Sequence, residues 1–198
     1  MRRATKGDRS AAAGTLGAAF VTDPVMSYLL RDVPHRQRLL RNYFHADLGA
    51  EFRRDDHLVF VGAEAAAVAI WRGVDRWKLR FPDTLRLLWP GLRAFGPSPG
   101  LSVLRKIEAV HPLEPHYYLD SIGTLPTRQG EGLGARLLTA MTNRADAEGL
   151  PCYLESSNPV NEPFYARHGF GIRDEVHLGG GVPVMRTMWR DPRRPDQA

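Results

Sequence analysis

The sequence has a single cysteine, Cys152, so no internal disulfide can form. It lacks any Cys/His spacing that suggests a metal site. No apolar run approaches the roughly 20 residues that a membrane-spanning helix needs. The Met-Arg-Arg-Ala-Thr start has no hydrophobic signal-peptide core, so the expected location is cytoplasmic, with no membrane partner. Lysine is scarce: of 27 basic residues only Lys6, Lys78 and Lys106 are lysines, and the others are arginines. The arginines are scattered along the chain, which argues against a nucleic-acid footprint. The formal charge of +5 reads as a solvated surface that also helps attract a polyanionic ligand. No internal repeat or domain-sized linker interrupts the 198 residues. The expectation is one mixed α/β domain over 1–190, with a flexible tail over 191–198. Cys152 lies in the apolar, strand-like Pro151-Cys152-Tyr153-Leu154, which suits a buried thiol more than a nucleophile.

What the chain does have is glycine in one place. Gly130, Gly132 and Gly134 fall within five residues. Before them, Tyr117-Tyr118-Leu119-Asp120-Ser121-Ile122-Gly123-Thr124 has the aromatic and β-branched character of a strand. After them, Leu133, Leu137, Leu138 and Met141 recur at helical spacing. A glycine-rich strand-to-helix turn presents bare N–H groups at a helix start, a natural seat for an anion. It is not a Walker A loop, because Ala135-Arg136 stands where Lys-Ser/Thr is needed. It is not a Rossmann fingerprint either, because the glycines follow G-x-G-x-G spacing.

Around this turn the elements read in order. Arg2-Arg3-Ala4-Thr5 suggests a short strand, and Asp8 a cap for a helix over about 9–20. A second helix is expected over about 34–52 and a hairpin over 58–61 and 66–71. Between 72 and 115 the pattern predicts helical pieces cut by Pro82 and Pro90, with a loop at Gly96-Pro97-Ser98-Pro99-Gly100. This excursion is expected either to wall a substrate pocket or to form a packing layer. A strand at 152–155, a turn at 158–161, a short helix at 162–168 and a hairpin around Gly179-Gly180-Gly181 complete the chain.

Gln129-Gly130-Glu131-Gly132-Leu133-Gly134 resembles the acetyl-CoA pyrophosphate loop of the GNAT acetyltransferases, Gln/Arg-x-x-Gly-x-Gly/Ala. Some twenty residues on, Asn158-Pro159-Val160-Asn161-Glu162-Pro163-Phe164-Tyr165, followed by Gly169-Phe170, is similar to the family's second signature. The likeness is strongest over 116–171. Its layout is similar to the puromycin N-acetyltransferase branch, including Ala-Val-Ala-Ile-Trp and Pro-His-Tyr-Tyr-Leu. The resemblance implies a twisted mixed sheet of about six to seven strands, flanked by helices and splayed at its two central parallel strands. It implies acetyl transfer from acetyl-CoA to a primary amine, with CoA as product. The pyrophosphate would lie on Gln129, Gly130, Glu131, Gly132, Leu133, Gly134 and Ala135, and the pantetheine arm along Ile122, Gly123 and Thr124. Asn158 and Asn161 would fix the turn and bond that arm. Tyr165 matches the family's general acid.

The general base stays open. Strict alternation puts Tyr118, Asp120, Ile122 and Thr124 on one face of the strand. Asp120 is the first candidate, either drawing the amine proton through a water or binding the ammonium. An ion pair with an arginine is the alternative. His111, His116, His35 and Glu155 follow. Tyr28, Tyr43, Phe44, Trp77 and Trp89 are expected either in an apolar acceptor pocket or in the core. The acceptor is expected to be a small antibiotic or metabolite amine. Alternatives are an acyl-CoA-binding sensor without turnover and a protein N-terminal or lysine acetyltransferase. Both monomer and homodimer fit.

Overall fold

Runs of valine, isoleucine and aromatic residues build the sheet. The strands are Arg2–Arg3 (β1), Leu58–Gly62 (β2), Ala67–Arg72 (β3), Tyr117–Thr124 (β4), Cys152–Ser156 (β5), Gly171–Val176 (β6) and Met185–Arg190 (β7). The computed structural model describes residues 1–78, 81–95 and 97–193. Within it the seven strands form one mixed sheet in the order β1-β2-β3-β4-β5-β7-β6. Only β4 and β5 run parallel; the other neighbours are antiparallel.

Helices cover both faces. Arg9–Ala19 (α1) and Arg36–Glu51 (α3) pack on Val59, Val61, Val68 and Ile70. Pro24–Leu29 (α2) links them, with Asp23 as its cap. The opposite face takes Leu133–Glu148 (α6). Its Leu133, Leu137, Leu138 and Met141 are buried against Ala67, Ala69, Trp71, Leu119 and Leu154. Each such side chain contributes about 1.5–3 kcal/mol, which explains why this helix was legible from its spacing. The expected cap at Asp8 is not made. Its carboxylate instead binds Arg2 and the Thr5 backbone, tying β1 to the chain that follows.

The 72–115 region departs most from expectation. Two helices, Phe81–Phe95 (α4) and Pro97–Val110 (α5), fill it. The predicted loop begins at Gly96, outside the described residues, but 97–100 are helical. Pro82, Pro97 and Pro99 fall in first turns, where a helix needs no backbone donor, and Pro90 lies inside α4. The expected tail falls partly on 194–198, also outside the described residues. Among the described residues no helix is long and apolar enough to cross a membrane.

A bulge in β4 corrects the alternation reading. Ile70 faces Ser121 but Trp71 faces Leu119, leaving Asp120 as the extra residue. The extra residue inverts the later side chains. Tyr118 and Asp120 stay on the α1/α3 face, whereas Ile122 packs with the α6 cluster and Thr124 Oγ1 lies by Gly134. Tyr118, Asp120, Ile122 and Thr124 therefore do not share a face.

Arg72, at the end of β3, holds this corner. Its guanidinium lies 3.0 Å from Asp120, 3.3 Å from Asp47 and 3.5 Å from Glu51, and donates to the Trp77 carbonyl at 2.8 Å. Burial would lower its pKa, but the three carboxylates outweigh burial and raise it. Burial pushes Asp47 up to about 8, reinforced by the charge of Asp120. Folded Asp47 thus keeps its proton where the unfolded side chain, near 3.9, has lost it. This group's contribution to stability therefore falls as pH rises from about 4 to 8. Asp47→Asn should flatten that decline, read as the melting temperature between pH 5 and pH 8, on the order of the same window. An unchanged slope would contradict the assignment. A second prediction concerns Gly123. A Cβ there would lie 2.8 Å from Ala19 Cβ and 3.2 Å from Leu16 Cδ2. Gly123→Ala should force α1 away and cost roughly 1–3 kcal/mol in denaturant unfolding.

Candidate active site

The two parallel strands part early. β4 and β5 pair only at Tyr117/Cys152, Tyr118/Tyr153 and Leu119/Leu154. Beyond these, Ser121–Thr124 pairs with β3 alone, with Asp120 as the bulged residue, and Glu155 and Ser156 pair with β7 alone. A wedge opens with β4 and β5 as its sides. Ile122, Gly123 and Thr124 line the β4 side with backbone, and Gly123 lacks a side chain because α1 occupies that space.

At the wide end stands the start of α6. Gly130 and Gly132 have φ of 84° and 70°, a region that residues with a Cβ rarely adopt. A Cβ on either would meet nothing within 4 Å, so backbone conformation and an open face, not packing, call for glycine. Gly132 is the helix cap and supplies no side-chain bond to it. The first N–H groups of α6 have no intrahelical acceptor, and the helix dipole adds positive potential. Gln129, Gly130, Glu131 and Gly132 are exposed, Leu133 is buried in the core, and Gly134 and Ala135 are half-buried. Arg128 pairs with Glu131 at 2.7 Å beside the loop. These features fit a pyrophosphate.

The loop's third glycine is a junction. A Cβ on Gly134 would lie 3.5 Å from Thr124 Oγ1 and 3.8 Å from Phe164 Cζ. It brings the end of β4, the start of α6 and the helix Glu162–Arg167 (α7) together. Tyr165 sits on α7, 8% exposed, between Phe164 and Phe170. Its pKa is raised by burial and then by the charge of Asp23. Among the described residues its hydroxyl has no hydrogen-bond partner. Asn158 caps the turn before α7, its Oδ1 accepting from the Val160 N–H at 3.1 Å. Asn161 is exposed at the cap of α7 and makes no side-chain capping bond.

The α1/α3 face of the wedge is acidic. Asp120 Oδ1 meets Arg72, and Oδ2 accepts from Ser121 at 3.1 Å. Across the opening, Glu155 is the first β5 residue past the last paired one. Its Oε1 lies 3.6 Å from His111 Nδ1, both side chains being almost fully buried. His111 stacks under Trp77, with ring centroids 3.8 Å apart, and its Nε2 lies 3.2 Å from His116 Nε2. Burial lowers the pKa of His116. Burial, then the charge of Glu155, raises Tyr118 and Tyr153 above the ordinary phenol value. Burial also pushes the Cys152 thiol up to about 12.

The structure therefore gathers His111, His116 and Glu155, which the sequence offered only as scattered candidates. His35 is left exposed at the start of α3. Three residues went unnoticed in the sequence: Arg72, Asp47 and Asp23. Asp23 is buried and accepts from Ser157 Oγ and the Met26 N–H, joining α2 to the exit of β5, and burial raises its pKa. Only a polar residue within an apolar segment signalled Arg72. Of the aromatic candidates, Phe44 is core, Trp89 is 64% exposed, and Trp77 covers His111. Tyr43 packs beside the α1/α3 core, and Tyr28 donates to the Gly180 carbonyl. The latter contact draws the β6–β7 loop onto α2, and Lys106 of α5 holds the same loop at the Leu178 carbonyl, 2.8 Å away. Val25, Val103, Val176, Leu178 and Met185 pack beneath, beside the end of β5.

Comparison with known proteins agrees with this geometry. Residues 91–170 match the model of the Acetyltransferase (GNAT) family. An uncharacterized N-acetyltransferase of Schizosaccharomyces pombe is 28% identical over all of this chain and 85% of its own length. Among solved structures, histone acetyltransferase HPA2 and related acetyltransferase from Corynebacterium glutamicum superposes with a TM-score of 0.70 at 24% identity, covering 98% of this chain and 96% of that one. PaiA N-acetyltransferase from Thermoplasma acidophilum, in complex with coenzyme A, gives 0.59 at 13% identity, with 96% of each chain covered. These structural likenesses concern the fold. The matched family model over 91–170, the related N-acetyltransferase and the splayed sheet together support placing the chain among the GNAT acetyltransferases.

Proposed function

We propose that this chain transfers the acetyl group of acetyl-CoA to a primary amine on a small molecule, by direct attack with both substrates bound. One observation carries the reading: a single opening has bare backbone N–H groups at one side and carboxylates at the other. The N–H groups from Gly130 to Ala135 would hold the pyrophosphate. The unpaired edge of Ile122, Gly123 and Thr124 would hold the pantetheine arm, and one of its N–H groups would polarise the thioester carbonyl, worth about 3–4 kcal/mol. The thioester supplies an activated acyl carbon, and fixing it beside the amine makes the encounter effectively intramolecular.

Asp120 then has a narrower role than a base. Both its oxygens are engaged, by Arg72 and Ser121, which suits holding the acceptor ammonium. Buried Glu51 and Glu155 lie on the same side, so a cation is favoured there within a basic chain. The β6–β7 loop is tied down by Tyr28 and Lys106 and not left open, which suits a small acceptor more than a protein tail. Tyr165 is the proposed acid for the departing thiolate. Burial and Asp23 keep its phenol protonated, as a donor must be.

Thiol release from acetyl-CoA, followed across small primary amines and matched peptides, tests the reading. Release with small amines supports it. Tight acetyl-CoA binding without release favours a sensor, and release with peptides alone favours a protein acetyltransferase. Tyr165→Phe should lower kcat about 100-fold while leaving acetyl-CoA affinity within about threefold. Unchanged kcat would remove Tyr165 from the mechanism.

A further inference from the structure

The mechanism above leaves one proton without a destination. An acceptor amine arrives as an ammonium and must lose a proton before it can attack. Asp120 is tied to Arg72, which directs attention across the wedge to Glu155 and His111.

Hydrogen bonding determines which atom of His111 is basic. His116 Nδ1 lies 2.6 Å from the Glu114 carbonyl, which only accepts, so this nitrogen carries the proton. Neutral His116 then presents a bare Nε2, and burial favours the neutral ring. His111 Nε2, 3.2 Å away, must donate to it. His111 Nδ1 is left as a lone pair, aimed at Glu155 Oε1 from 3.6 Å. Both atoms are buried and have no hydrogen-bond partner among the described residues. Two facing acceptors repel unless a proton lies between them. The pair is therefore built to take up one proton.

We propose that Glu155 and His111 together are the general base: the acceptor ammonium releases its proton to the Glu155 carboxylate at the wedge, and His111 Nδ1 takes it up. The proposal rests on the acetyl-transfer reading. The N–H bond of the ammonium breaks, its electron pair stays on nitrogen, and the proton ends as an imidazolium N–H paired with the carboxylate. The second N–H proton, lost as the amide forms, returns through solvent to the Tyr165 phenolate and replaces the one that Tyr165 gives to the leaving thiolate. The product dissociates, and the imidazolium returns its proton to solvent. His116 is a positioning residue, since its chain of hydrogen bonds ends on a carbonyl and can conduct no proton onward. Trp77 stacks over the His111 ring, holding its plane toward Glu155.

The charged and titratable neighbours come from several elements. Tyr118 of β4 and Tyr153 of β5 lie perpendicular to the His111 ring, and the hydroxyls of both interact with Glu155. Arg72 and Asp120 act on Tyr118, and Arg173 and Asp174 of β6 act on Tyr153. Glu155 is the acid nearest the His111 ring.

Imidazole nitrogen NMR and steady-state kinetics test the proposal separately. In the wild-type chain, His111 should be the Nε2–H tautomer when neutral and should gain its second proton at Nδ1. His116→Phe should let the two tautomers mix. A neutral Nδ1–H tautomer, or a tautomer unchanged in His116→Phe, overturns the assignment even if no amine is acetylated. Where thiol release occurs, His111→Gln and Glu155→Gln should each lower kcat/KM for the amine about 100-fold or more and abolish the fall at acid pH. Acetyl-CoA affinity, measured by calorimetry, should stay within about threefold, which also reports folding. An intact acidic limb in both variants overturns the base. Absence of release from the wild type with every amine would instead overturn the acetyl-transfer reading, with the NMR result standing on its own.

Discussion

The hydrogen bonds between β4 and β5 stop at Leu119 and Leu154. These are interior strands, and a backbone group left unmet in a protein interior costs about 1–3 kcal/mol. A protein keeps such a gap only where a ligand or water meets those groups. The surroundings keep it open. The bulge at Asp120 increases the local twist of β4, and β3 and β7 hold the outer edges of the two strands so that neither can swing across. The wedge is a property of the sheet, and the helices around it are rigid supports.

Its two faces differ in chemistry because the bulge inverts side chains. On the α6 side, Ile122 and Thr124 lead into the glycine turn, where positive φ at Gly130 and Gly132 aims bare N–H groups outward. On the α1/α3 side, Asp120 meets Arg72, and Tyr118 meets His111 beside Glu155. The proposed anionic donor and cationic acceptor would thus be drawn to opposite faces of one opening. Arg72 makes the second face tolerable. Three carboxylates packed together would repel, and the central guanidinium holds them in place while leaving the surface net acidic.

The same arginine connects the site to the chain's least predictable part. Its bond to the Trp77 carbonyl fixes the strand exit, Trp77 covers His111, and His111 ends the excursion begun by α4. The α4 and α5 helices therefore bear on the site through a ring stack and a loop clamp, more than as a simple wall. This arrangement also explains why proline misled the reading of 72–115. Pro82, Pro97 and Pro99 stand at helix starts, where they favour the helix that they would break elsewhere.

The order and type of nearly all elements outside that region were legible, because amphipathic spacing and β-branched runs report burial directly. Leu133, Leu137, Leu138 and Met141 defined α6 in this way, and Val59, Val61, Val68 and Ile70 defined the hairpin. The glycine spacing and the Asn158–Phe170 signature suggested the donor site, because backbone conformation there is written in residue identity. Only the tertiary structure brought together the residues proposed for the acceptor side. A one-residue bulge has no signature in local sequence, yet it reverses every side chain after Asp120. His111 and Glu155 are far apart along the chain, and Arg72 looks like a strand end. Their union depends on which strands part and where, which is set by hydrogen-bond register across the sheet and not by any segment alone.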